Sequence, residues 1–331
     1  MNIKSNILKP LVSAAMILVS ASPALCVDVI NDSIICIRNG DLVLKQDLRR
    51  GGSICHISRG LNERNIVNIH DEGRYIQQSY YAGENRDRRH EGQSPNWSPW
   101  NWNPIQGGDY AHNGAKIVKY EVMDGKSYVA CIPMQWDMNG YPAEALMEQW
   151  AEVEGNLIHV RNKITCHRTD TIYGSPVIRD QEIPAVYPIS SLKHLYSYFG
   201  NKPFEDDNLD RPEVVEIKLG KSGSFWGKYP DVPEKWMAFV DDNKWGIGVY
   251  SPMAERFLAG RYSDSTEGEA YSKATSYIAP LCSKALDKNS VFEYDYYLIV
   301  DNLDKIRKTI YKLNKELNPT KENELIAQRE R

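Results

Sequence analysis

The sequence predicts an all-β protein: one large antiparallel two-sheet β-sandwich carrying a single amphipathic helix near its C-terminal end. From about residue 27 to 300, short runs of alternating or β-branched residues are separated by Gly, Asn, Asp and Pro. After Leu303 the pattern changes, and Leu303, Ile306, Ile310, Leu313 and Leu317 recur at helical spacing until Pro319. No repeat of fixed period and no low-complexity tract occurs, which sets propellers and solenoids aside.

The elements follow in order. Residues 1–26 read as a secretory leader: Lys4 and Lys9 supply the basic start, Leu11 to Val19 the apolar stretch, and Ser22-Pro23-Ala24 or Ala24-Leu25-Cys26 the small-residue exit. A lipid anchor at Cys26 is disfavoured by the bulky Leu25 before it. A secreted or periplasmic location follows, with residues 27–318 as one sandwich domain and 319–331 as a charged, solvated tail. Strong hairpin signals stand at Asn39-Gly40, at Asp124-Gly125 and at Asp241 to Asn243. "SSLKHLYSY", Ser190 to Tyr198, reads as a short helix, and the amphipathic helix spans 303–318.

The chain has 331 residues, 42% of them hydrophobic and 25% charged, enough for a large core and a buried site. A net charge of −4, with no basic cluster beyond Arg86 to Arg89, excludes nucleic acid as the main partner. No stretch is apolar for long enough to span a membrane. The five cysteines after the leader, Cys36, Cys55, Cys131, Cys166 and Cys282, lack CxxC spacing. They are expected on strands, buried and mostly free, without a zinc site. No cofactor is expected. Clustered acids could hold a calcium ion, and the run at 205–213 is the obvious stretch, but its spacing is not that of an EF-hand.

"SPNWSPWNWNPIQGGDY", residues 94–110, places Trp97, Trp100 and Trp102 among three prolines. Such a segment forms a rigid loop rather than a helix or central strand. Its indoles either plug an open end of the core or wall a saccharide cleft, since flat indole faces suit the C–H faces of sugar rings. The readings are compatible, because one indole can plug while another faces a ligand. Asn103 and Gln106 would then serve hydroxyl groups.

"GGSICHISRGLNERNIVNIHDEGRYIQQSYY", "RDQEIPAVYPISSLKHLYSYFGNKPF", "EKWMAFVDDNKWGIGVYSP" and "TSYIAPL" resemble stretches of secreted bacterial carbohydrate-active proteins with the galactose-mutarotase-like supersandwich. The resemblance covers about residues 30–300 and implies a saccharide held on a concave sheet face. Aldose epimerases of this fold use a His acid and a Glu base, motifs that have no evident counterpart here. Other members cleave polysaccharides, so the resemblance leaves the reaction open.

Three segments carry candidate chemistry. In "NIHDEGRYIQQSYY", a strand from Arg74 to Tyr80 would put Arg74, Ile76, Gln78 and Tyr80 on one face and Tyr75, Gln77, Ser79 and Tyr81 on the other, with one face open to a wet cleft. "RDQEIPAVY" groups Arg179, Asp180 and Glu182. Hydrolysis of a glycosidic bond needs two carboxyl groups, and Glu182 with Asp109 of "QGGDYAHNG" is the expected pair. His70, Arg74, Gln78, His112, Arg179, Asp180 and the tryptophans are expected binders of a polysaccharide or oligosaccharide. A polysaccharide lyase would instead use His70, Tyr80 or Tyr81 as base, with Arg74 and Arg179 neutralising a uronate. A non-catalytic glycan binder would need only the aromatics and amides. Structural roles compete at each position: an edge strand around 74–81, an ion pair at Glu182, and turn chemistry at Asp109.

Overall fold

A computed structural model describes residues 25–60, 63–123, 125–205, 214–217, 226–263 and 265–318. The leader reading therefore falls outside the described residues, apart from Leu25 and Cys26, which open the first strand. The charged tail falls outside them too, as does the acidic run except Glu205.

Alternation of β-branched and polar residues produces two large sheets. The first has eleven strands, in the order Leu25–Ile30, Ile34–Asn39, Leu42–Asp47, Ser53–Arg59, Ile76–Ser79, Ile178–Val186, Thr275–Ala285, Arg256–Tyr262 and Trp226–Tyr229, with Pro104–Ile105 and Met134–Gln135 joined at its middle. The second has nine, in the order Val214–Ile217, His194–Tyr198, Trp236–Val240, Trp245–Tyr250, Val291–Asn302, Leu157–Cys166, Ala145–Glu154, Lys126–Ile132 and Lys116–Met123. Neighbouring strands run antiparallel, as in Ala145–Glu154 against Leu157–Cys166. Two of the hairpin signals work as read: Asn39 pairs with Leu42 across Gly40, and Asp241 accepts from the Asn243 and Trp245 amides, while Asp124 of the third lies outside the described residues.

The sheets face one another across a continuous core that includes Ile37, Ile57, Ile76, Ile158, Ile183, Phe239, Ile278 and Leu298. All six cysteines among the described residues are free, and Cys55, Cys131, Cys166 and Cys282 are buried on strands. The helix Leu303–Leu317 lays Leu303, Ile306, Ile310 and Leu313 against Trp236, Ala238, Val240 and Ile299 on the outer face of the second sheet. Close approach requires Gly248, where a Cβ would lie 2.3 Å from Ile306.

The segment expected as a short helix at 190–198 is instead the strand His194–Tyr198. It pairs with both Trp236–Val240 and Val214–Ile217, and Leu195 enters the core. Ladder bonds and burial on a sheet outweigh the local helical spacing. A separate ribbon, Ala82–Arg86 paired with Trp100–Trp102, stands over the first sheet and carries the tryptophan-rich segment.

Candidate active site

In the first sheet, Ile76, Ile183, Val186, Phe257, Ala259 and Ile278 point into the core between the sheets. Alternation sends Ser79, Glu182, Ala185, Leu258 and Tyr277 to the opposite face. A cleft of about 270 Å³ opens there. Its lining includes Glu182, Tyr81, Tyr187 and Tyr277 from the sheet side, and Trp97, Trp100, Asn103 and Trp136 from the loops above. The tryptophan segment and the Glu182 strand, separated in sequence by about eighty residues, thus meet at one site.

The indoles form a set. Trp97 lies edge-on to Trp100 with ring centres 5.5 Å apart, and edge-on to Trp136 at 5.7 Å. The Trp100 Nε1–H donates to the Asn103 side-chain oxygen at 3.2 Å, while Asn103 donates to the Tyr80 carbonyl at 2.7 Å. This chain of bonds fixes the loop to the sheet. Trp136 closes over Gly73, where a Cβ would stand 2.6 Å from the indole ring. Any larger residue at position 73 would push that wall away.

Glu182 is the one carboxyl among the described lining residues, and it is only 7% exposed. Burial pushes its pKa above the ordinary glutamate value, and the Tyr277 hydroxyl, which donates to its Oε1, draws it part of the way back. Tyr187 packs against Tyr277 with ring centres 4.7 Å apart and the rings tilted at 42°. The same burial raises the Tyr81 and Tyr277 hydroxyls well above the usual phenol range, so both remain protonated donors. A buried carboxyl with an elevated pKa, set among protonated phenols and flat rings, can accept and return a proton beside a bound ligand.

The other expected residues lie elsewhere. Trp102 is 1% exposed and belongs to the core, so the segment's three indoles divide between plugging and lining. Asp109 does not line the cleft. Its carboxylate accepts from the amides of Ala111, Asn113 and Gly140 and from the Asn113 side chain, tying a turn together. His112 pairs with Glu72, which also meets Arg50 at 2.7 Å. His70 is exposed and bonds the Tyr271 carbonyl at 3.1 Å through Nδ1. Tyr80 is a core residue whose hydroxyl donates to Gln78, and Gln78 in turn donates to the Glu148 carbonyl.

Gln106 faces the interior as well, donating to the Gly51 carbonyl. The face carrying Gln78 and Tyr80 is therefore the inner one, and the wet face is that of Ser79 and Tyr81. Arg74 reaches the site only indirectly, with its guanidinium 5.8 Å from the Tyr187 ring centre. Arg179 binds the Gly83 carbonyl under the ribbon, and Asp180 pairs with Arg256 and Lys228. Trp136, Tyr187 and Tyr277 escaped the sequence reading. Tyr187 ends the same run as Glu182, and Tyr277 alternates with Ala279 and Leu281, so outward alternation finds these two tyrosines once the strand pairing is known, whereas Trp136 carries no such signal. Among the described residues no group of three His, Cys, Asp or Glu side chains is placed to hold a metal ion. None of the described helices is long and apolar enough to cross a membrane.

Neither a family model nor a curated protein sequence matches the chain. Solved structures do. A galactose mutarotase-like protein from Lactobacillus casei ATCC 334 superposes with a TM-score of 0.51 at 8% identity, over 81% of this chain and 99% of that one. A galactose mutarotase related enzyme from Lactobacillus acidophilus gives 0.49 at 9% identity, over 81% and 97%. A galactose mutarotase-like protein from Clostridium acetobutylicum gives 0.44 at 10% identity, over 85% and 99%. The chain has the galactose-mutarotase-like fold.

Proposed function

We propose that the protein is a carbohydrate-active enzyme acting on a small neutral sugar, with Glu182 as the general base. The observation that carries this reading is a single buried carboxyl at the floor of a cleft walled by three tryptophans. At about 270 Å³ the cleft lies below the range of about 300–1,000 Å³ usual for larger ligands, which favours one or two sugar rings over a long polymer. Its described lining contains no lysine or arginine. A uronate would therefore meet Glu182 without a cation to neutralise it, and that speaks against elimination.

Opening a cyclic aldose at its anomeric carbon needs one base and one acid, a demand that a lone carboxyl among phenols can meet. Glu182 takes the proton of the anomeric hydroxyl as the carbonyl forms. The bond from the anomeric carbon to the ring oxygen breaks, and that oxygen is protonated by Tyr187, whose hydroxyl has no hydrogen-bond partner among the described residues. Closure on the other face reverses the steps. An extracytoplasmic location for this activity is part of the proposal and is supported by the leader-like pattern of residues 1–26.

A second reading retains glycosidic hydrolysis. It is favoured by the Tyr277–Glu182 contact: the carboxylate would take the tyrosine's proton as the phenol oxygen attacks the anomeric carbon, and the glycosidic bond would break with its leaving oxygen protonated by Tyr187. Water giving a proton back to Tyr187 would then displace the phenol oxygen, which recovers its proton from Glu182. Two assays on the wild type and Glu182→Gln separate these readings. Exchange between anomers, followed by NMR on a panel of neutral aldoses and lost in the variant, supports ring opening. Oligosaccharide products heavier by added water support hydrolysis. Sugar binding without either reaction would overturn the enzyme reading.

A further inference from the structure

Beneath the tryptophan ribbon lies a cluster that the cleft chemistry does not use. The Glu84 amide of the ribbon donates to the Tyr173 carbonyl at 2.8 Å, which joins the ribbon to the segment following Cys166. Arg168 stands at this junction, 4% exposed, with its guanidinium carbon 5.2 Å from the ring centres of both Trp102 and Tyr173. No carboxylate of the described residues lies within ion-pair distance of it, and its Nη1 is buried without an acceptor. The Trp102 Nε1–H, equally buried, also lacks one.

The other face of the junction is charge-balanced, so the unpaired charge is that of Arg168. Arg88 places its guanidinium carbon 5.4 Å from the Tyr173 ring centre and has Glu91 as its one carboxylate partner. Its Nε is a third buried donor without an acceptor. Attraction to aromatic faces offsets part of the desolvation of a buried cation but leaves its N–H groups unmatched. A water molecule would satisfy an N–H and leave the charge uncompensated. An anion does both.

We propose that Arg168 and the Trp102 indole N–H form an internal site for one small monovalent anion of halide size, chloride under ordinary ionic conditions. Two buried N–H donors without acceptors can serve one small ion, whereas a larger oxyanion would bring further acceptors with no donor to meet them. Occupied, the site ties the segment after Cys166 to the ribbon that presents Trp97 and Trp100, so the ion stabilises the cleft wall without touching Glu182. This inference is independent of the sugar chemistry.

Bromide-soaked crystals of the purified protein, measured at the bromine edge, test the site directly. An anomalous peak within hydrogen-bond distance of Arg168 Nη1 and Trp102 Nε1 is expected. An ordered water in that position with no anomalous signal would overturn the proposal. In solution, chloride should raise Tm saturably relative to gluconate at equal ionic strength, and Arg168→Met should abolish the difference. A rise of the same size in gluconate, or in Arg168→Met, would equally overturn it. Should Arg168→Met fail to fold, Trp102→Phe retains an aromatic face and removes the N–H. Its chloride affinity should fall at least about threefold, and unchanged affinity would count against the site.

Discussion

Tyr277 and Glu182 stand on neighbouring strands, Thr275–Ala285 and Ile178–Val186, and the phenol donates its hydrogen to the carboxylate at the floor of the cleft. Replacing Glu182 by Gln keeps the shape and removes the proton acceptor. We expect kcat/KM to fall about 10²–10⁴-fold, the usual contribution of a positioned acid–base group. Sugar affinity, measured by calorimetry on the variant, should change little.

The same carboxyl makes stability depend on pH. Its folded pKa lies above the ordinary value of 4.5, so the folded state holds the proton more tightly than the unfolded one. The sign follows: this group's penalty is absent below about 4.5, grows as pH rises through the interval between the unfolded and folded values, and is constant above it. Glu182→Gln lacks the titrating group. Chemical denaturation across pH should therefore show the variant gaining on the wild type as pH rises from 4.5. Tyr277→Phe removes a bond that lowers this pKa, and should move the acidic limb of the activity profile to higher pH. An unmoved limb would dissociate Glu182 from that limb.

Trp97 and Trp102 of the 94–110 segment should separate cleanly under mutation. Trp97 is 36% exposed at the cleft mouth, so Trp97→Ala should raise KM about tenfold, equivalent to about 1.4 kcal/mol, and leave Tm nearly unchanged. Trp102 is 1% exposed, and Trp102→Ala should cost about 3–5 kcal/mol of stability. Parallel thermal melts and steady-state kinetics on the two variants decide. Equal losses of stability would mean that both indoles are core.

Much of this architecture is legible in the sequence because it is local. Asn39-Gly40 sets a hairpin by its own backbone preference, and the stripe from Leu303 to Leu317 specifies the helix and its buried face. What fails is information carried by partners far along the chain. The strand after Arg74 alternates polar groups on both faces, so its two phases read alike. Only the facing sheet assigns Gln78 and Tyr80 to the interior and Ser79 and Tyr81 to the cleft. Ser190 to Tyr198 carries a helical spacing that two flanking strands override. The proline-rich loop and Glu182 each stand out alone, but Trp136 and Tyr277 acquire their role only through contacts across the sheet.

Asp109 illustrates how a carboxylate near glycines can serve the backbone instead of a ligand. The Gly140 amide reaches it at 2.6 Å, the Ala111 amide at 2.9 Å and the Asn113 amide at 3.0 Å, and all three donate to an acceptor with no exposed surface. Asp109→Asn replaces one acceptor oxygen by an N–H₂ group that faces donors, which breaks at least one bond and leaves a buried donor unmatched. A loss of about 1–3 kcal/mol is expected by denaturant titration. The Tyr110 amide donates to the Trp136 carbonyl at 3.0 Å, so loosening the turn should disturb the Trp136 wall and raise KM modestly. The proton-transfer step at Glu182 should keep its kcat. A fall in kcat comparable to that of Glu182→Gln, with stability preserved, would instead return Asp109 to the chemistry as a second carboxyl.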